Sequence, residues 1–121
     1  MTGSPSIDNL FGWKEPQVKT LYDRLLVTLC EFGDFTEVPK SNYLLLKKKS
    51  NFAGVYPRKN YLNLEFLVNY SIDYPRIVKS LKLSAHRFAH TVKIENEGDF
   101  DAQLLEWLKD SYEVCNKEKS L

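Results

Sequence analysis

Between Tyr61 and Val68 the chain alternates, with Leu62, Leu64, Phe66 and Val68 falling on one side and Tyr61, Asn63, Glu65 and Leu67 on the other. A period of two is the period of a strand, because successive side chains leave a pleated backbone on opposite faces. One side is wholly apolar and the other carries Tyr61, Asn63 and Glu65 beside Leu67, so this strand has one buried face and one face near water. A parallel sheet covered on both faces would read as a continuous apolar run. The segment therefore predicts an antiparallel sheet with a single covered face.

The neighbouring segments supply partners for that strand. Tyr43 to Lys48 is a short strand that turns at Ser50-Asn51, and Phe52 to Tyr56 is its hairpin partner. Pro57 ends it, and Arg58-Lys59-Asn60 is the next turn. Arg87 to Ile94 alternates again, with Phe88, His90, Val92 and Ile94 on one side and Arg87, Ala89, Thr91 and Lys93 on the other. Arg76 to Leu81 predicts a short helix or a single helical turn.

The ends of the chain change period. Pro16 suits the first position of a helix, and Val18, Leu21, Tyr22, Leu25, Leu29 and Phe32 recur at helical spacing until Gly33. Asp99 predicts an N-cap for a last helix with Asp101 in its first turn. That helix carries Leu104, Leu105, Leu108, Tyr112 and Cys115 as its stripe, bordered by Trp107. Residues 1–12 predict a loosely ordered lead-in, in which Leu10, Phe11 and Trp13 beyond it are apolar enough to fold back on the first helix. Residues 13–116 predict one domain, and 117–121 a frayed tail. The fold class is α+β: an N-terminal helix, an antiparallel sheet of four to six strands, and a C-terminal helix packed on one sheet face.

At 121 residues with 43% hydrophobic content the chain can build a core without a metal or disulfide staple. Cys30 and Cys115 predict two reduced thiols, buried or half-buried, in a cytoplasmic protein. The polar start does not resemble a signal peptide, and no apolar run reaches the ~18 residues of a membrane span.

Net charge is +1 but unevenly placed. Residues 40–93 hold 11 Lys and Arg against Glu65 and Asp73, a net +9, while residues 1–39 sum to −3 and 94–121 to −5. If helices cover one sheet face, the other carries Tyr43, Lys47, Lys49, Tyr56, Arg58, Tyr61, Asn63, Arg87, Thr91 and Lys93. Cations neutralise phosphates and aromatic rings stack on bases. This pattern points to a binding module for nucleic acid or another polyanion, with Lys47, Lys49, Tyr56, Arg58, Lys59, Arg87 and Lys93 as its contacts. A solvated face whose charge is balanced by the acidic helices fits the same residues.

No catalytic constellation is present. There is no glycine-rich phosphate loop, no nucleophile between glycines, and no set of metal ligands or cofactor motif. His90 reads as a core histidine on an apolar face. Two further readings stay open: a protein-interaction or homodimerisation domain without a ligand, and an enzyme or small-ligand site near His86 and His90.

The order Tyr43-Leu44-Leu45-Leu46-Lys47, Asn51-Phe52-Ala53-Gly54-Val55-Tyr56-Pro57-Arg58-Lys59, Leu62-Asn63-Leu64, then His90-Thr91-Val92-Lys93-Ile94 and an acidic-start helix from Asp101 to Tyr112, resembles a bacterial family of small domains of unknown function, number 5655. The likeness runs from about Phe11 to Glu113. Its members are sometimes labelled "predicted transport protein", though this chain has neither a membrane segment nor a motor motif. Others stand as appendages on proteins that resemble restriction-type nucleases, which implies association with nucleic acid. The resemblance implies no catalytic residues.

Overall fold

A computed structural model describes residues 6–116. The residues at the two ends, including the predicted tail at 117–121, lie outside them. Helix α1 (Ile7–Phe11) and helix α2 (Pro16–Cys30) come first. Six strands follow: β1 (Thr36–Pro39), β2 (Leu44–Lys47), β3 (Asn51–Pro57), β4 (Leu62–Val68), β5 (Ile77–Ser84) and β6 (Arg87–Ile94). A 3-10 turn (Glu97–Asp99) leads into helix α3 (Ala102–Asn116). The strands form one antiparallel sheet in the order β1-β2-β3-β4-β6-β5, so β6 slots between β4 and the edge strand β5.

The alternation in β4 decides the layering. Leu62, Leu64, Phe66 and Val68 are buried, and Asn63, Glu65 and Leu67 are only half-buried. Register aligns Leu64 with Val55 and Val92, and Phe66 with Ala53 and His90, on that same covered face. Against it pack Val18, Leu21, Tyr22, Leu25 and Leu29 of α2 and Leu104, Leu108 and Tyr112 of α3. Removing that much apolar surface from water, at roughly 25 cal/mol per Å², is the main force holding the layers together. Trp107 stacks on Phe66 with ring centroids 5.8 Å apart.

Ser111 and His90 are polar groups buried inside this layer, and both are satisfied. A bulge in β3 near Phe52 interrupts the ladder to β2. Ser111 of α3 reaches that region, donating to the Phe52 carbonyl at 2.7 Å and accepting from the Leu67 amide at 3.1 Å. His90 donates from Nε2 to the Tyr70 carbonyl at 3.2 Å, so its Nδ1 accepts the Ser80 hydroxyl at 2.8 Å. A carbonyl can only accept, which assigns the tautomer.

The 69–76 connection crosses the helix side from one end of the sheet to the other. Tyr70 donates to Asp110 at 2.7 Å, Tyr74 packs edge-on to Trp107, and Arg76 pairs with Asp101 at 2.8 Å. Burial and the Asp110 carboxylate push the Tyr70 phenol well above its ordinary range.

Four sequence expectations need correction. Residues 77–84 are a strand, not a short helix, because their backbone groups pair with β6 while their side chains stay exposed. Thr36–Pro39 adds a strand that the pattern did not announce. Within the predicted lead-in, Ile7–Phe11 is a helix capped by Ser6, with Leu10 and Phe11 buried, whereas Trp13 is 91% exposed. The carboxylate that caps α3 is Asp101, which accepts from the Leu104 amide at 3.0 Å; Asp99 instead closes the 3-10 turn with Asn96. Bonding from the Leu104 amide, aided by Arg76, holds the Asp101 carboxyl below its ordinary range.

Candidate functional site

All three helices lie on one side of the sheet, and no described element covers the other. Cross-strand register orders that open face in rows, since opposed residues share a face. One row runs Tyr43, Tyr56, Asn63, Lys93. The next runs Leu45, Gly54, Glu65, Thr91, Lys79. A third includes Leu67, Ala89 and Leu81.

Consecutive antiparallel strands put successive turns at opposite ends of the sheet. The turns at residues 40–43 and 58–61 share one end, here the tyrosine end. The turn at 48–50 and the start of β6 share the other, the lysine end. A seven-residue strand separates them by roughly 20 Å at ~3.3 Å per residue.

This topology sorts the predicted contacts into two groups. Tyr56, Arg58, Lys59 and Lys93 gather at the tyrosine end, joined by Tyr43, Tyr61 and Lys40. Lys47, Lys49 and Arg87 stand at the lysine end. Side chains that alternate to one face therefore do not form a single patch, and the rows between the groups hold Leu45, Gly54, Glu65 and Leu67, with Lys79 at their β5 edge.

The tyrosine end is the more organised of the two. The Tyr43 and Tyr56 rings are nearly parallel, with centroids 5.1 Å apart and an interplanar angle of 15°. A Cβ placed on Gly54 would stand 3.3 Å from the Tyr56 ring, so the ring lies down over the bare backbone of that glycine. Burial, with Glu65 nearby, raises the Tyr56 phenol above its ordinary range. It stays protonated at neutral pH and keeps its hydroxyl as a donor.

On the other flank Lys93 Nζ sits 4.4 Å from the centre of the Tyr61 ring and 3.5 Å from Glu95. Such a cation–π contact is worth roughly 0.5–1 kcal/mol when exposed. Tyr61 closes the 58–61 turn by accepting from the Arg58 amide at 2.8 Å. Among the described residues no carboxylate forms an ion pair with Lys40, Arg58 or Lys59. Their charge is available to a partner.

Other candidates are placed differently. His90 is fully buried, with both ring nitrogens bonded and with Phe66 and Phe88 as ring neighbours. His86 stands exposed in the β5–β6 turn, and the two do not meet at one site. A cleft of about 410 Å³ between α2 and β1 is lined by Leu26, Cys30, Gly33, Asp34, Phe35 and Glu37. Its Glu37 carboxylate already accepts the buried Tyr22 hydroxyl. Both thiols are free; Cys30 is exposed, contrary to the expectation of a buried or half-buried thiol, and Cys115 is half-buried with its thiol pushed up by burial. The described residues hold no group of three metal-ligating side chains, and none of their helices is long and apolar enough to cross a membrane.

Sequence reasoning named Tyr56, Arg58, Lys59 and Lys93 together but missed Lys40 as their neighbour. The hairpin connectivity carried that signal, since Lys40 and Arg58 occupy turns two apart. A family model described as "Domain of unknown function (DUF5655)" matches residues 7–114. No curated protein and no solved structure matches the chain.

Proposed function

The chain belongs to the DUF5655 family of domains of unknown function, and from that premise we propose that the tyrosine end of its open sheet face binds single-stranded nucleic acid. One observation supports the reading: the parallel Tyr43 and Tyr56 rings share a row of the open face with Lys93, at the end of the sheet whose turns hold Lys40, Arg58 and Lys59. The cations neutralise phosphates, and the rings offer a flat surface to bases. A duplex keeps its bases stacked internally and can use only the first of these. A single strand uses both, and stacking on a protein aromatic is worth ~1–3 kcal/mol per base. The +9 charge of residues 40–93 adds attraction at longer range.

Fluorescence anisotropy of a labelled oligothymidine, titrated with the full chain at several salt concentrations, tests this. Affinity should fall with salt at a log–log slope of ~0.7 per phosphate contact. Tyr56→Ala should weaken binding by about tenfold, and a duplex of equal length should bind less tightly. Absence of salt-sensitive binding, or full affinity in both Tyr56→Ala and Arg58→Ala, overturns the reading.

A further inference from the structure

Trp13 leaves 91% of its surface in water, although Leu10 and Phe11 of the same segment are buried. A tryptophan usually contributes through burial of its large ring, and here the backbone holds that ring out. The Lys14 amide donates to the Phe11 carbonyl at 3.1 Å, the Glu15 amide to the Lys59 carbonyl at 2.8 Å, and the Val18 amide to the Glu15 carbonyl at 2.9 Å. The chain is thus pinned on both sides of Trp13.

The bond from Glu15 to Lys59 also fixes where the ring stands. Lys59 lies in the turn that follows β3, just past Tyr56. The link between α1 and α2 is therefore fastened to the tyrosine end of the sheet from the helix side. Consecutive Cα atoms are ~3.8 Å apart, so the Trp13 backbone stands within about 8 Å of that of Glu15. Arg58 and Lys59, both exposed, occupy the rim where the open face meets this link, and Lys14 directly follows the ring. These three cations outweigh the carboxylate of Glu15, which makes the rim favourable to phosphates.

We propose that Trp13 is a further stacking platform for the single strand bound at the tyrosine end. It takes a base where the strand passes from the Tyr43 and Tyr56 rings over the Arg58-Lys59 turn. This role rests on the binding proposed above and extends that site to the far side of the turn. A lone exposed apolar residue is ordinary on a protein surface. A tryptophan on a pinned backbone beside cations is a different case, because it combines the flat ring and the positive track that single-strand sites use.

Trp13 and Trp107 are the two tryptophans of the chain, and Trp107 is shielded, 4% exposed and stacked on Phe66. Unlabelled oligothymidine should therefore quench the tryptophan emission of the full chain and leave the remaining emission of Trp13→Ala unchanged. In the anisotropy titration Trp13→Ala should weaken binding about tenfold, with Trp13→Phe between it and the parent chain. Both variants should melt at the parent temperature, since the ring is exposed. If Trp13→Ala binds as tightly as the parent chain while Tyr56→Ala still weakens binding, the role of Trp13 is overturned and the tyrosine-end reading stands. A Trp13→Phe variant no tighter than Trp13→Ala also overturns it, because a flat ring would then bring nothing. If the parent chain shows no salt-sensitive binding, the tyrosine-end reading itself fails and takes this role with it.

Discussion

The two faces of the sheet are made from the same strands, yet they are different materials. On the helix-covered face Leu62, Leu64, Phe66, Val92 and Ile94 are fully buried, and the polar groups among them, His90 and Ser111, have defined partners. On the open face the residues between them in sequence are Asn63, Glu65, Leu67, Thr91 and Lys93, with Tyr43 and Tyr56 alongside, and of these Thr91 alone is buried. One set holds the fold together. The other is largely free to be chosen for something else. Substitutions should separate accordingly, with large stability costs on one side and small ones on the other.

Phe66→Ala tests the covered face most severely. Phe66 is fully buried and stacks on Trp107, so truncation removes apolar contact and leaves a cavity. Chemical denaturation should show a loss of about 3–5 kcal/mol. A loss under about 1 kcal/mol would mean that the helices are not packed against this face as described.

Ser111→Ala comes next. It deletes only a hydroxyl, but that hydroxyl serves both the Phe52 carbonyl and the Leu67 amide. Both backbone groups would be left without it in a buried setting, and the cost should be about 1–3 kcal/mol. Ser111→Cys, with a weaker donor, should fall between the two. If Ser111→Ala is neutral, the β3–β4 ladder satisfies those groups by itself and the bridge from α3 is dispensable.

The covered face was legible in sequence because burial imposes a period. Leu62 to Val68 alternates in burial as read; in Phe88 to Ile94 the register keeps the two sides, although Ala89 and Thr91 of the open side are buried as well. Where burial is weak the period is lost. Strand β5 lies at an edge with exposed side chains, two register irregularities break its alternation, and Ile77 and Leu81 are spaced four apart as on a helix. Strand β1 is four residues long and ends on a proline. The open face was half legible. Alternation shows which side a residue takes but not which end of the sheet it occupies. Lys47 and Arg58 therefore read as neighbours, although the turns that follow their strands lie at opposite ends.

Lys93→Ala measures the open face against these values. Lys93 touches the Tyr61 ring and Glu95, and its side chain is 43% exposed. Exposed pairs of this kind contribute ~0–1 kcal/mol each, and salt screens them further. The stability cost should therefore stay below about 1 kcal/mol, smaller than that of Ser111→Ala, and shrink as salt is added. Salt-dependent binding of a single strand should respond differently, its log–log slope falling by ~0.7 if Lys93 contacts one phosphate. A stability cost as large as that of Ser111→Ala would place Lys93 among the groups that hold the fold, and the two faces would no longer divide the labour. A small cost with an unchanged slope would keep the division but move the phosphate contacts onto Lys40, Arg58 and Lys59, whose charges no described carboxylate pairs.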